Sequence, residues 1–324
     1  MLVELVQVYY NRRNYKIGAS LKMRSPFSTL DAETIGLGYG FLGVLCFSLT
    51  LPATRAAVAD LDPVIVGLGR AIVAAMLAAI LLALTHQKRP TRKQVRSLIV
   101  VALGVVIGFP ILSAWAMQNL PASHGAIVLG IAPLATAITG TLRTGDRPSG
   151  GFWLASILGS MTVVCFAIYS GAGHLQLGDL ALLGAMIAAA FGYAEGALLA
   201  QVMGGWQVIS WGLLVAVPMV ILPVIGAVWQ HGLVASPSAW LGFGYVTVFS
   251  QFLAFFAWYK GLAIGGVARV GQIQLLQPFL TISASAFLLG EAISPLTIGT
   301  AIVVFAIVIL GKKATVKRLP TKII

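Results

Sequence analysis

The chain has 324 residues, of which 59% are hydrophobic and only 9% are charged, and its mean hydropathy is +0.95. A soluble globular domain carries about 25% charged residues, so this composition excludes a soluble fold and predicts an integral membrane protein. The net charge of +12 does not indicate a nucleic-acid partner, because Lys and Arg collect in the cytoplasmic loops of membrane proteins.

Residues 1–34 precede the first apolar run and predict a basic cytoplasmic arm. They lack the order of basic, apolar and small residues that marks a secretory signal. Met23, followed by "RSPFSTLDAET", is an alternative start of the chain.

Apolar windows long enough to cross the hydrocarbon, about 20 residues each, occur ten times. Turn signals such as "DLDP", "NLPASH", "RTGDRPSGG" and "GEAISP" separate them. The pattern predicts an all-α integral membrane protein with ten transmembrane helices. The predicted spans are 35–56, 64–85, 96–118, 123–142, 152–171, 179–201, 207–229, 239–260, 266–288 and 294–311.

The distribution of Lys and Arg predicts the orientation of the chain. With both termini cytoplasmic, every one of the 21 basic residues except Arg55 and Arg70 falls on the inner side, in the arm, in alternate connections or in the tail 312–324. This asymmetry predicts a multi-pass protein of the inner (plasma) membrane with cytoplasmic N and C termini.

The two halves of the chain repeat each other. A shift of 141 residues lays "FLGVLCFSLTLPATRAAV" on "LLGAMIAAAFGYAEGALL" and puts Arg70 over Trp211. The repeats span residues 35–171 and 172–311, with five predicted helices each. Because five is odd, the second copy enters the membrane from the opposite side, which predicts inverted repeats and a transporter architecture.

Proline and acid positions match between the repeats. Pro133 and Asp146 have the same separation as Pro278 and Glu291, and a glycine precedes each acid. We expect both acids to be helix-end residues rather than substrate ligands. We expect both prolines, and Pro110, to kink their helices, because proline frees the carbonyl four residues earlier.

These features resemble the drug/metabolite transporter superfamily, EamA type. The resemblance covers residues 36–311 and includes "GLGRAIVAAMLAA", the Pro-x12-acid pattern of each half and "WYKGLA" before the ninth span. It implies export or exchange, without ATP, of small metabolites such as amino acids or related compounds.

Arg70 is a basic residue about six positions inside the second span, where an ionisable group must face the protein interior or snorkel. Gly67 and Ala74 on the same helical face favour a position facing the protein. Two interpretations stay open. Arg70 contacts an anionic substrate group, or it clamps backbone carbonyls or the acids Asp60 and Asp62.

Glu195 is the only acid deep within a predicted span, next to a ridge of small residues and to Tyr193. A carboxyl in a low-dielectric environment has a raised pKa, so Glu195 is a candidate for coupling transport to protons. The alternatives are contact with a substrate amine or a purely hydrogen-bonded role. Glu195 and Arg70 differ in depth, so we predict no direct pair.

Polar and aromatic side chains near the span ends supply further candidates. Gln274 and Gln277 share a face of the ninth span and predict either interhelical hydrogen bonds or cavity lining. Aromatic residues at span ends serve as interfacial anchors or stack on a substrate. The aromatic candidates are Trp115, Trp258 and Tyr259, at the ends of the third and eighth spans. The amide of Gln118, three residues after Trp115, is a further candidate.

Catalytic and cofactor motifs are missing from the sequence, including Walker A, His-Glu-x-x-His and Gly-x-Ser-x-Gly patterns. We therefore expect no enzyme activity, cofactor or metal site, and we expect a small-molecule substrate, a lipid environment and possible proton coupling. The alternatives are an uncoupled facilitator or exchanger, a membrane enzyme acting on lipid-like substrates, and a structural or sensor subunit.

Overall fold

The computed structural model describes residues 32–145, 147–170, 176–312 and 316–317. Within these ranges the chain is helical apart from short connections and one pair of two-residue strands. The predicted arm up to residue 31, the alternative start at Met23, Asp146 and most of the basic tail lie outside the described residues.

The prediction of an all-helical membrane protein is confirmed. Eight helices are long and apolar enough to cross a membrane: α1 Ala32–Ala57, α2 Ile65–Leu84, α3 Arg92–Asn119, α4 Ala122–Thr144, α6 Leu177–Met203, α7 Gly205–His231, α8 Pro237–Gly265 and α9 Val267–Leu289. Two more helices, α5 Gly150–Ser170 and α10 Pro295–Lys312, have shorter apolar parts among the described residues, Gly150–Phe166 and Pro295–Ile307.

A short antiparallel strand pair joins two distant parts of the chain. Strand β1, Arg147–Pro148, follows α4 and pairs with β2, Val316–Lys317, which follows α10. The connection after α4 and the segment after α10 therefore lie side by side.

Glycines bring α1 and α8 into close contact. A Cβ on Gly36 would lie 2.5 Å from Cα of Gly265, and a Cβ on Gly261 would lie 2.7 Å from the backbone nitrogen of Gly40. Small residues at helix interfaces allow such close approach of two backbones in a membrane. The run "GLGYGFLG" at 36–43 is thus a packing surface.

Helix α6 packs against α3 and α8 through its ridge of small residues. A Cβ on Gly104 of α3 would lie 2.5 Å from the carbonyl oxygen of Ala188. On the α8 side, the Tyr259 hydroxyl donates a hydrogen bond of 3.1 Å to the carbonyl of Gly192. The tyrosine ring lies directly over Gly196.

Irregular helical segments occur in corresponding places in the two halves. Helix α3 has a π-helical stretch at Ala102–Gly108, and its counterpart α8 has one at Val246–Leu253. Helix α4 has a 3₁₀ segment at Leu129–Ile131, and its counterpart α9 has one at Gln272–Leu276. A further π-helical stretch, Ile65–Gly69, begins α2.

The prolines singled out in the sequence stand at these segments. Pro133 and Pro278 lie in the first turn after the 3₁₀ segments, and Pro110 lies in the first turn after the π-helical stretch of α3. The carbonyls four residues before Pro133 and Pro278 accept hydrogen bonds of the 3₁₀ type. The backbone N–H of Ala132 donates to the carbonyl of Leu129, and the backbone N–H of Gln277 donates to the carbonyl of Gln274. The 3₁₀ turn thus satisfies the group that each proline leaves free.

Candidate functional site

A cavity lies where helices of both halves of the chain meet. Helices α1 to α4 line it from the first half, and α6, α8 and α9 line it from the second. The space at its centre measures about 20 Å³, which is room for about one water molecule. A metabolite enters this cavity only if the helices move apart.

The cavity is surrounded by irregular backbone. Arg70 directly follows the π-helical stretch of α2, Gln251 lies within that of α8, and Gln274 lies within the 3₁₀ segment of α9. At membrane depth, irregular backbone is tolerated only where protein or a water-filled cavity surrounds it, and π-helical turns occur frequently at functional sites. The irregular segments therefore mark this cavity as the candidate site.

Arg70 is the charged residue of the described cavity lining, and its side chain is only 1% exposed. Its Nε and Nη1 atoms have no hydrogen-bond partner among the described residues. The acids considered as clamp partners have other partners: Asp60 accepts hydrogen bonds from Ser236, and Asp62 accepts one of 2.8 Å from the backbone of Val64. A buried cation without a counter-ion is costly, so Arg70 is the dominant electrostatic feature of the cavity.

Three glutamine amides share the lining with Arg70. Gln251 donates a hydrogen bond of 3.1 Å from Nε2 to the carbonyl of Val105, which belongs to the π-helical stretch of α3. Gln274 accepts one of 3.1 Å at Oε1 from the hydroxyl of Thr136. Gln277 lies on the wall beside Gln274. These bonds cross between the halves and orient neutral polar groups toward the cavity.

Helix α1 is interrupted at Leu49, next to the cavity. The carbonyl of Ser48 accepts a hydrogen bond of 2.7 Å from the hydroxyl of Thr281 on α9. On the other side of the interruption, Oγ1 of Thr50 lies 2.8 Å from Oγ of Ser250 on α8, and both hydroxyls line the cavity. The interruption of α1 is thus stabilised by side chains of the second half.

Aromatic rings form one side of the cavity. Phe47, Tyr193 and Phe255 line it, and the rings of Phe47 and Phe255 meet edge to face at 5.1 Å. Trp258 lies behind this wall, fully buried, with its ring centroid 5.3 Å from that of Tyr193. Tyr259, also fully buried, points to α6 instead.

Glu195 lies outside the described cavity lining and forms an ion pair with Arg143. Nε of Arg143 lies 3.0 Å from Oε2 of Glu195, and Nη2 contacts the same oxygen. The glutamate is 2% exposed and the arginine 45%. The sequence indicates Glu195 without its partner, because Arg143 directly follows the fourth predicted span, 123–142, and is expected in a cytoplasmic loop. An acidic side chain within a membrane span needs a partner. This rule is the signal in the sequence from which a partner of Glu195 could be predicted.

The opposite ends of α4 and α6 are joined as well. Nε2 of His124 lies 2.7 Å from Oδ1 of the fully buried Asp179. The carboxylate of Glu291, from the second half, accepts hydrogen bonds of 2.8 and 2.9 Å from the backbone N–H groups of Ala122 and Ser123 at the start of α4. The pairs Arg143–Glu195 and His124–Asp179 therefore link α4 and α6 on both sides of the cavity.

Trp115 and Gln118 lie apart from the cavity. Both are exposed at the C-terminal end of α3, with Trp115 39% exposed. Trp258 and Tyr259, which lie at the corresponding end of the eighth predicted span as Trp115 and Gln118 do in the third, are fully buried. Corresponding positions of the repeat thus have different surroundings.

Comparison with known proteins gives a family match in both halves. The model of the EamA-like transporter family matches residues 34–168 and again residues 176–311. A protein of Bacillus subtilis (strain 168), named "Uncharacterized transporter YdeK", is 43% identical over 272 residues, which is 82% of this chain and 92% of that protein. A protein crystal structure with 16% identity superimposes with a TM-score of 0.65 over 86% of this chain and 96% of its own, which shows the fold alone.

Proposed function

Because this chain belongs to the EamA-like transporter family, we propose that it is a secondary transporter that exports small metabolites across the inner (plasma) membrane without ATP. Amino acids or related compounds are the solutes that the family resemblance implies. Transport follows alternating access, in which two inverted five-helix halves rock around a central site.

The observation that carries this proposal is the cavity shared by both halves. It combines a buried arginine, neutral amides and an aromatic wall, and its helices are irregular where they face it. Small-molecule sites have this composition, a largely apolar wall with a few polar groups that fix orientation. A cavity this small supports a cycle in which the halves must separate before a solute enters.

The proposal includes ten spans and cytoplasmic termini. The helices Gly150–Ser170 and Pro295–Lys312 are the fifth and tenth spans of this topology. The strand pair between Arg147–Pro148 and Val316–Lys317 supports it, since it requires both segments to lie on one side of the membrane. The excess of Lys and Arg in the same segments makes that side cytoplasmic.

The Arg143–Glu195 pair is the place where we propose that protons act on the cycle. Protonation of Glu195 removes its negative charge and releases Arg143, which belongs to the other half. An uncoupled facilitator or exchanger is the second candidate, and one observation favours it. The buried carboxylate already has a cationic partner, as a purely structural acid would.

Counterflow in proteoliposomes tests the proposal. The full chain is reconstituted, and the exchange of a panel of labelled amino acids and related metabolites is followed with and without a pH gradient. We expect saturable counterflow of part of the panel, whereas no flux of any compound contradicts the transporter assignment.

A matched pair of variants then separates the coupled from the uncoupled mechanism. Glu195→Gln should abolish stimulation by the pH gradient, and an unchanged response removes Glu195 as the proton site. Glu33→Gln is the control, because Glu33 at the start of α1 also pairs with an arginine of the second half, Arg269 at 2.5 Å, but is 45% exposed at a helix end.

A further inference from the structure

The charge balance of the cavity identifies the ligand more closely. Arg70 contributes one positive charge, and the described lining residues contain no Asp or Glu. We propose that the site binds a small organic monoanion, with a single carboxylate held by Arg70 and an apolar or aromatic body against the wall of Phe47, Tyr193 and Phe255. This inference rests on the proposed function, since the ligand is the transported solute.

The guanidinium group is available for a ligand. It is buried, it lines the cavity, and two of its three nitrogens have no partner among the described residues. A buried polar group without partners is unusual in a folded protein and marks a site that a ligand completes. A carboxylate fits it, because the planar guanidinium donates two parallel hydrogen bonds to the two carboxylate oxygens.

Net charge distinguishes between anions of the same size. A monoanion neutralises Arg70, whereas a phosphate ester carries a charge of about −1.5 to −2 at pH 7 and leaves excess negative charge in the cavity. A zwitterionic amino acid has no net charge, so the occupied cavity keeps one net positive charge, and the ammonium group meets amide and hydroxyl groups but no described carboxylate. Compounds whose amine is missing or acylated therefore fit better than free amino acids.

Among the described residues of the second half, no cation takes the place that Arg70 has in the cavity lining. Trp211 of α7 takes the place of Arg70 in the repeat, and α7 supplies no residue of the described lining. The described cavity lining thus carries one cation, so we expect one carboxylate to bind to each transporter.

A set of three matched compounds tests the inference. N-acetyl-L-phenylalanine, N-acetyl-L-phenylalaninamide and L-phenylalanine share a side chain. At pH 7 the first is a monoanion, the second carries no charge, and the third is a zwitterion without net charge. Their binding to the purified full chain in detergent is followed by the shift of its thermal unfolding midpoint, and their counterflow is measured in proteoliposomes. We expect the N-acetyl acid to bind and to be transported at least tenfold better than the other two.

Substitution of Arg70 links this preference to the residue. Arg70→Met should weaken binding of the N-acetyl acid about 10- to 100-fold, the loss of one charge-assisted contact. Arg70→Lys should recover only part of it, because the ammonium group cannot form two parallel hydrogen bonds. Arg96→Gln removes a cation at an exposed position of α3 and should bind like the wild type.

Stability without ligand separates a binding role from a clamp. Arg70→Met should unfold at the same temperature as the wild type or higher, because it removes an uncompensated buried charge. A clear drop in the unfolding midpoint indicates a structural clamp and overturns the inference. Equal transport of the N-acetyl acid and its amide, or better transport of free phenylalanine, overturns it too while the proposed function stands. Absence of counterflow for these compounds and for the wider panel overturns the proposed function itself.

Discussion

Both hydrogen bonds that Arg143 donates to Glu195 end on the same carboxylate oxygen, Oε2, and join the two halves of the chain. The partners differ in their surroundings, because the arginine is 45% exposed and the glutamate only 2%. Arg143 can turn toward water when the pair breaks, and Glu195 cannot without movement of α6. The two residues are therefore unequal in what their loss does to the protein.

Arg143→Gln should destabilise the protein more than Glu195→Gln. The first change leaves a buried carboxylate without its cation, which costs about 1–3 kcal/mol or more, whereas the second leaves an arginine that water solvates. Thermal unfolding in detergent measures both. The double variant should regain most of the loss of Arg143→Gln, and a double variant as unstable as the worse single one contradicts this account.

Gly196→Ala should lower stability by about 1–3 kcal/mol, the usual cost of overpacking. A methyl group at this position overlaps the ring of Tyr259, which packs directly on the glycine. Gly38→Ala is the control, because it lies in α1 with nothing within 4 Å of the added carbon, and alanine favours a helix over glycine by about 1 kcal/mol. The prediction fails if the two variants unfold at the same temperature.

Glu291→Ala should cost about 0.5–2 kcal/mol, the usual loss of a helix cap. Its carboxylate accepts hydrogen bonds from the N–H groups of Ala122 and Ser123, at the positive end of α4. Glu291→Gln keeps one oxygen acceptor without the charge and should lie between alanine and the wild type. Unfolding midpoints of the three proteins at low salt give the order, and equal midpoints exclude the cap.

Stability should depend on pH through Asp60, which lies in the connection between α1 and α2. Hydrogen bonds from the side chain and the backbone N–H of Ser236 hold the pKa of Asp60 below its ordinary value. A lowered pKa contributes stability that is full above the ordinary carboxyl pKa of about 4 and is lost as the pH falls through the folded-state value. Asp60→Asn should therefore be less stable than the wild type at pH 7.

Comparison of Asp60→Asn with the wild type across pH checks this sign. The difference between their unfolding midpoints should begin to shrink below about pH 4, the ordinary carboxyl pKa, and continue to shrink as the pH falls toward the lowered pKa of the folded wild type. Ser236→Ala should show the same convergence, since it removes the side-chain donor. A difference that stays constant down to pH 3 contradicts the assignment.

Helix positions were predictable because backbone polar groups in a membrane must be satisfied within the helix itself. The length of an apolar run then sets the length of its helix. The run predicted at 64–85 is the helix Ile65–Leu84, and the run at 179–201 is the helix Leu177–Met203. The differences of one or two residues fall at helix ends, where fraying is expected.

Irregular segments were predictable only where proline marks them. Pro133 and Pro278 point to the breaks in α4 and α9, and Pro110 points to the π-helical stretch Ala102–Gly108 of α3, but no proline marks the π-helical stretch Val246–Leu253 of α8. The stability of these π-helical stretches depends on partners distant in sequence, such as the bond from Gln251 to the carbonyl of Val105. Pattern within one helix does not reveal these contacts.

The cavity combines residues that the sequence singled out with others that it did not. Arg70, Tyr193 and Gln274 attracted attention as polar groups in spans, and they line the cavity. Gln251 follows the same rule in the eighth span but is not among the candidates predicted from the sequence. Thr50 and Ser250 were not identifiable, since hydroxyl groups are common in membrane helices and most bond to their own backbone.

The replacement of Arg70 by Trp211 in the second half has a kinetic consequence. As the halves rock, the first half carries the cation, and the second half carries the Tyr193 and Phe255 part of the wall. The anion therefore contacts the guanidinium group and the aromatic rings to different extents when the cavity is open to the outside and when it is open to the cytoplasm. We expect unequal half-saturation concentrations on the two membrane faces, so that two halves of one fold form a rectifying carrier.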